Sequence, residues 1–244
     1  MKESHQKKLT RLYVPERLTP QHMVLLTPDQ SHHLLTVLRK KAGDQVLLFN
    51  GMAGEWLAVL TSVSKKQISA RCLEQVRPQE KSSSLSLAFS PLKKHRQDFL
   101  IEKATELGVT HLMPVDMNHT NLPVFNPEKV LKQSREAAEQ CERLSIPLIH
   151  PLEKLAQMLK SWPYDRPLYV ALERASETNS LADVLEKNKE AAFLVGPEGG
   201  FSPEEVALLS HQSFVKFFSL GPLVLRAETA AILCVGLYQQ LSQK

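Results

Sequence analysis

The residues with the most chemical promise lie in the last 49 positions of the chain. AAFLVGPEGGFSPEE runs from an apolar stretch ending at Val195 straight into Gly196-Pro197-Glu198-Gly199-Gly200. The whole chain has only nine glycines, roughly half the usual share of about 7%. Five of them, Gly196, Gly199, Gly200, Gly221 and Gly236, fall in this last part. Such clustering has a backbone cause: a positive φ or something that approaches the main chain closely. In open α/β sheets, ligands bind where strands end in this way. The spacing is neither GxGxxG nor GxxxxGK[ST], so neither a dinucleotide fingerprint nor a P-loop is present. A second segment, FFSLGPLVLRAETAAILCVGLYQQL, turns at Gly221-Pro222 and places Arg226 and Glu228 just before a helix that is apolar on nearly all sides. Charges beside such a helix need partners or a task.

Other chemistries lack their residues. Nine histidines are dispersed, with no HExxH and no paired CxxC, which argues against a metal. GxSxG, the mark of many serine hydrolases, is missing. Glu102 and Glu106 share a helix face, which an exposed, charged helix explains without catalysis.

These segments need a scaffold of strands and helices. Ser202 predicts an N-cap, with Pro203 at the first helical position and Glu205 closing a capping box. Strands are expected at Leu85–Ser90, Val109–Val115, Leu168–Leu172, Ala192–Val195 and Val215–Leu220. Helices are expected at Gln97–Leu107, Glu128–Arg143, from Asn179 or Ser180 through Leu185, and at Ala227–Leu241. This alternation predicts an α/β domain with a mostly parallel sheet covered on both faces. Before the Pro- and Ser-rich stretch at Arg77–Ser84, strands dominate: Arg11–Pro15, Gln45–Phe49, Trp56–Val63 and Gln67–Val76, with a turn signal at Asn50-Gly51. One helix, capped by Thr27 with Pro28 and Gln30, is expected to end near Lys41. This part reads as a small β-barrel, giving domains 1–80 and 81–244. Tyr13, Phe49 and Trp56 suit either base stacking or a core.

The 244 residues carry 30 Lys and Arg against 26 Asp and Glu, a net charge of +4. Residues 1–80 hold 12 against 7, and the rest 18 against 19, so the positive excess lies wholly in the first third. Lys7-Lys8 with Arg11, Arg39-Lys40-Lys41 and Lys65-Lys66 are candidates for neutralising phosphates, with solvated loop residues as the alternative reading. Lys93-Lys94-His95-Arg96 could extend that surface. The longest apolar run, Ala230–Tyr238, is about half of what spans a bilayer. MKESHQKKLTR has no secretory h-region. Three scattered cysteines, Cys72, Cys141 and Cys234, favour a reducing compartment, and a cytoplasmic protein without a membrane partner is expected.

LVGPEGGFSPEE followed by SLGPLVLRAETAA resembles the 16S ribosomal RNA uracil-N3 methyltransferases, members of the SPOUT superfamily of trefoil-knotted methyltransferases. HHLLTVLRKKAGDQVLLFNG is similar to that family's PUA-like or OB-like RNA-binding module. FLIEKATELGVTHLMPV and EAAEQCERLSIP are similar to its first helix with second strand and to its middle helix. The chain departs from the family pattern at Leu223, where a second arginine is expected, at Glu142, where glycine is frequent, and in a short stretch after Asn121.

The resemblance implies a SPOUT α/β-knot domain after a PUA-like barrel, S-adenosyl-L-methionine as cofactor, no metal, and a homodimer acting on 16S rRNA of the small ribosomal subunit. It implies cofactor contacts from Leu172, Val195, Gly196, Glu198, Gly199, Gly200, Leu220, Gly221, Leu225, Thr229 and Ala230. RNA contacts would come from Arg11, Arg39, Lys40, Lys41, Lys93, Lys94 and Arg96. Arg226 is expected to stabilise negative charge on a uracil, and Glu228 or Glu198 to take its N3 proton. Two alternatives stay open: a SPOUT enzyme acting on another RNA, such as a tRNA ribose hydroxyl, and a non-catalytic ribosome-assembly factor.

Overall fold

The computed structural model describes residues 9–63, 67–80, 84–121, 125–172, 179–186 and 190–242. Lys7, Lys8, Lys65 and Lys66 lie outside the described residues. The chain divides into two compact units, residues 1–81 with 138–146 and residues 82–137 with 147–244. Residues 138–146, grouped in the sequence reading with the second domain, thus belong to the first unit.

The first unit is built on a five-stranded sheet in the order β1-β3-β4-β5-β2, formed by Arg11–Tyr13, Met23–Leu25, Gln45–Phe49, Glu55–Val63 and Ile68–Arg77, numbered β1 to β5 along the chain. β1 runs parallel to β3, and the other pairs are antiparallel. Alternating residues Val46, Leu48, Ala58, Leu60, Ile68, Ala70 and Cys72 supply one core with Leu12, Leu26, Leu34 and Trp56. Phe49 is fully buried and meets Tyr13 edge-on, so Phe49 and Trp56 are core rather than stacking platforms. Thr27 caps α1 (Pro28–His32) through the expected box with Gln30. The helix does not reach Lys41. It widens into a π-turn over His33–Val37, and Arg39 takes a φ of 52° as the chain leaves.

The second unit holds seven parallel strands: β6 (Leu85–Phe89), β7 (His111–Asp116), β8 (Leu148–Ile149), β9 (Glu153–Lys154), β10 (Leu168–Ala171), β11 (Ala191–Val195) and β12 (Val215–Phe218). Their order is β12-β10-β11-β6-β7-β8, with β9 also on β7. The strands between are almost wholly apolar, as expected when both faces are covered. Phe193 and Val195 point with Tyr169 toward α2 (Lys94–Glu106) and α7 (Ala227–Ser242). Ala192, Leu194, Leu168 and Val170 point toward α4 (Leu155–Lys160) and α6 (Pro203–Ser210). α3 (Pro127–Gln140) and α5 (Leu181–Val184), the latter with Ser180 as N-cap, complete the helices. This is the expected α/β sheet with layers on both sides.

Candidate active site

The ends of three strands set the site. Ala171 pairs with Val195 on one side and Phe218 on the other, so β10, β11 and β12 finish at one level. Leu172 N–H donates to the Phe218 carbonyl at 3.0 Å and carries that register one residue further. Beyond it, the three chains splay around a cavity of about 400 Å³. Of the residues named for cofactor contacts, Leu172, Val195, Gly196, Gly199, Gly200, Leu220, Gly221, Leu225 and Ala230 line it. Ala171, Pro197, Phe201, Val206, Leu223 and Ala227 line it as well.

The glycines have two separate reasons. At Gly200 φ is +74°, and its N–H closes the turn on the Pro197 carbonyl at 2.9 Å. Gly196 and Gly199 are needed for space. A Cβ on Gly196 would lie 3.0 Å from the Phe201 ring, and one on Gly199 would lie 3.1 Å from His119 Cβ. The turn is also braced from outside. Asn118 N–H donates to Glu205 Oε1 at 2.7 Å, and Asn118 Nδ2 donates to Ser202 Oγ at 2.9 Å. The buried capping box of α6 thereby holds the loop in place, with Ser202 N–H donating to Glu205 Oε2 at 2.8 Å.

Two expected cofactor residues stand away from the cavity wall. Thr229 is exposed on α7. The Glu198 side chain turns from the lining toward Arg96, with which it is ion-paired, and accepts from Asn121 Nδ2 at 3.3 Å. Arg96 Nε also lies 3.7 Å from Glu228 Oε1. Arg96, expected on an RNA surface, is therefore committed to two carboxylates. Glu228 is buried at the start of α7, while Arg226 two residues earlier is exposed.

The candidate RNA contacts divide in the same way. Lys93 and Lys94 are exposed at the start of α2, and Arg39 and Lys41 are exposed in the first unit, with Lys40 half-buried. Arg11 is not on a surface. It is 6% exposed, 2.5 Å from Glu55, and donates to the Ala138, Glu139 and Arg143 carbonyls at 2.9, 3.1 and 3.0 Å. Burying a guanidinium demands such partners, and these contacts turn it inward, away from any phosphate. Among the described residues no group of three or more His, Cys, Asp or Glu is placed to hold a metal. No described helix is long and apolar enough to cross a membrane.

Residues 79–239 match the RNA methyltransferase domain family, and residues 26–72 match the RNA methyltransferase PUA domain. The ribosomal RNA small subunit methyltransferase E of Rickettsia conorii is 35% identical over 94% of each chain. This chain belongs to that RNA methyltransferase family. The Bacillus subtilis member is 28% identical, with 85% of this chain and 86% of that one aligned. Among solved structures, a Legionella pneumophila methyltransferase in complex with bound SAM superposes with a TM-score of 0.84 at 30% identity, covering 96% of this chain and 98% of that one. The Neisseria gonorrhoeae methyltransferase E bound to S-adenosyl methionine does so at 0.86 and 26% identity, with the same coverage. Within this family's catalytic domain, the 196–201 turn and the 219–230 segment are the two stretches that shape the cavity, with Ala171, Leu172 and Val206 completing it.

Proposed function

We propose that this family member transfers a methyl group from S-adenosyl-L-methionine to N3 of a uridine in 16S rRNA of the small ribosomal subunit. The observation that carries the reading is the cavity where β10, β11 and β12 end level. It is lined by main chain and small or aliphatic side chains, with both space-limited glycines facing it. Its volume lies within the range of small-molecule sites, and the relatives with similar folds hold this molecule. A wall of main chain and small or aliphatic side chains suits an adenosine lying close against the backbone.

When bound, S-adenosyl-L-methionine supplies a methyl carbon attached to a positively charged sulfur. The chain's own residues have the remaining work. Leu172, Val195, Gly196, Leu220 and Leu225 hold the donor against the strand ends, with Gly199, Gly200, Gly221 and Ala230 shaping the wall. N3 of uracil carries a proton and attacks poorly until it is lost. Of the two candidate carboxylates Glu228 takes that proton, since both oxygens of Glu198 are engaged. Arg226, exposed beside it, offsets charge developing on the uracil oxygens. N3 lies on the pairing edge, so the base must be unpaired or turned out of its stack. Exposed Lys93, Lys94, Arg39 and Lys41, with Lys40, contribute phosphate contacts.

The same proposal includes a cytoplasmic homodimer and the trefoil threading implied by the resemblance. Leu223, Val224 and Leu233 are 77%, 57% and 37% exposed, apolar side chains that a second copy would cover. The decisive test incubates the protein and labelled S-adenosyl-L-methionine with unmodified small subunits or protein-free 16S rRNA, then maps the product by primer extension. An N3-methyl blocks pairing and stops reverse transcriptase. Transfer to a ribose hydroxyl, or donor binding without transfer, overturns the uridine assignment. Failure to bind the donor in calorimetry favours an assembly factor.

A further inference from the structure

Two adjacent glycines, Gly199 and Gly200, form part of the cavity wall. Glycine has more backbone freedom than any other residue, so a wall built on two of them is soft unless something holds it. One side of Gly200 is held by its own turn, through its N–H and the Pro197 carbonyl at 2.9 Å. Its carbonyl is held by a side chain from a distant part of the chain. His119 Nδ1 lies 3.0 Å from that oxygen. The imidazole also packs on Gly199, where a Cβ would come within 3.1 Å of His119 Cβ and 3.4 Å of His119 Cγ. Among the described residues, His119 is the one side chain hydrogen-bonded to the main chain of either glycine.

A carbonyl only accepts, so Nδ1 carries the hydrogen and donates it. Because a peptide is planar, holding the Gly200 oxygen also sets the orientation of the whole Gly200–Phe201 peptide. Phe201 is itself a lining residue, whereas His119 stands outside the lining. The imidazole is exposed, but the backbone that carries it is pinned on both sides. Asn118 N–H donates to Glu205 Oε1 at 2.7 Å. Thr120 Oγ1 accepts from Met117 N–H at 2.9 Å and meets Ser90 Oγ at 2.9 Å. Thr120 N–H closes the same turn on the Met117 carbonyl at 2.9 Å. Residues 117–120 thus form a fixed post against which the glycine wall is tied.

We infer that His119 is a positioning residue for the methyl donor: by donating from Nδ1 to the Gly200 carbonyl, it holds the Gly199–Gly200–Phe201 wall in the shape that S-adenosyl-L-methionine meets. This rests on the reading of the cavity as the donor site. With the wall already held, donor binding does not have to order two glycines, a cost that otherwise comes out of affinity. His119 lies outside the lining, so its effect falls on how tightly the donor is held and not on the transfer step.

Three variants of the full chain separate the hydrogen bond from the bulk of the ring. His119→Asn keeps an N–H on the atom attached to Cγ, where Nδ1 stands; His119→Asp puts an acceptor there; His119→Ala leaves nothing. Donor affinity is measured by calorimetry with S-adenosyl-L-methionine alone, and donor KM and kcat with small subunits or 16S rRNA as acceptor. His119→Ala is expected to raise donor Kd about fivefold, the scale of one net hydrogen bond, with donor KM following and kcat at saturating donor within about twofold. His119→Asp should lose at least as much, since two acceptors then face each other, whereas His119→Asn should stay within about twofold of the unaltered chain. Melting temperatures should be nearly kept throughout, because the imidazole is exposed. Nitrogen-15 NMR of the neutral imidazole should place its hydrogen on Nδ1. An unaltered Kd in His119→Ala, no recovery in His119→Asn, a loss confined to kcat, or a hydrogen on Nε2 overturns the inference. Failure of the unaltered chain to bind S-adenosyl-L-methionine instead defeats the donor reading, while the imidazole spectrum still reports on the hydrogen bond, so the two failures are distinguishable.

Discussion

Arg11 and Glu55 form a buried ion pair at 2.5 Å in which Arg11 also donates to three carbonyls from residues 138–143. The guanidinium joins β1 to β4 and to the end of α3 within the first unit, and stacks 4.6 Å from the Phe49 ring centre. Removing it strands a buried carboxylate and several acceptors. Arg11→Met is therefore expected to cost about 3 kcal/mol of stability, within the range for breaking a buried pair. Denaturant melts check this. RNA affinity measured where the variant is still folded should be unaltered; a selective loss of RNA binding would restore Arg11 to the interface.

What the sequence made legible and what it hid divide by range. The caps at Thr27 and Ser202, each with its proline and its partner three residues on, form as read because every group involved is local. β3 and β11 stand out because unbroken or alternating apolar runs mark them. β2, β8, β9 and α4 escaped because two to six residues carry no periodicity, and their stability comes from neighbours such as β5 and β7. Arg11 and Arg96 both read as members of basic clusters. Their carboxylate partners lie at Glu55, Glu198 and Glu228, and Glu198 is 102 positions from Arg96, so no local pattern announced that Arg11 is buried or that Arg96, a third exposed, is paired. The glycine turn was visible as a turn, whereas the inward face of Val206 depends on how α6 docks.

Gly196 and Phe201 share one wall of the cavity, and a methyl on Gly196 would press the ring edge at 3.0 to 3.2 Å. Gly196→Ala should push the ring into the donor's space. The expected result is a donor Kd raised about tenfold, equivalent to about 1.4 kcal/mol, with thermal stability nearly kept. Adding Phe201→Leu should recover part of the affinity. Calorimetric titrations of both variants check this, and an unaltered Kd in Gly196→Ala would show that this wall does not face the donor.

A pH dependence of stability follows from His111 and His150. His111 Nδ1 and His150 Nε2 are 3.0 Å apart, which requires one to donate and the other to accept. Burial first lowers both pKa values below the usual 6.5, and nearby positive charge adds to it: His150 and Arg166 act on His111, and Arg166 acts on His150. Glu190 and Glu153 oppose the shift from the other side. The unfolded chain then binds more protons than the folded one. Stability is kept above about pH 6.5 and lost as pH falls from there through the folded values. Melting temperatures taken from pH 8 to pH 5 should decline below that point. In His150→Gln the decline should be shallower, and an equal slope would remove the pair as its source.

Arg226 differs from Arg96 in surroundings and so in what its loss should do. It is exposed, and among the described residues it makes no salt bridge, while its carbonyl accepts from Ala230 N–H at 2.8 Å in the first turn of α7. The side chain is thus free to meet substrate, and the backbone is held by the helix. Arg226→Ala removes the charge without opening a cavity or stranding a carboxylate, so the fold and donor affinity should be kept. Methyl transfer should fall about 10²-fold, the scale seen when one group stabilising developing negative charge is removed. Arg226→Lys should recover only part of it, since a point charge replaces a planar fork. Single-turnover methylation at saturating donor separates this from a binding defect, and a variant that turns over within a few fold of the unaltered chain would take Arg226 out of the reaction.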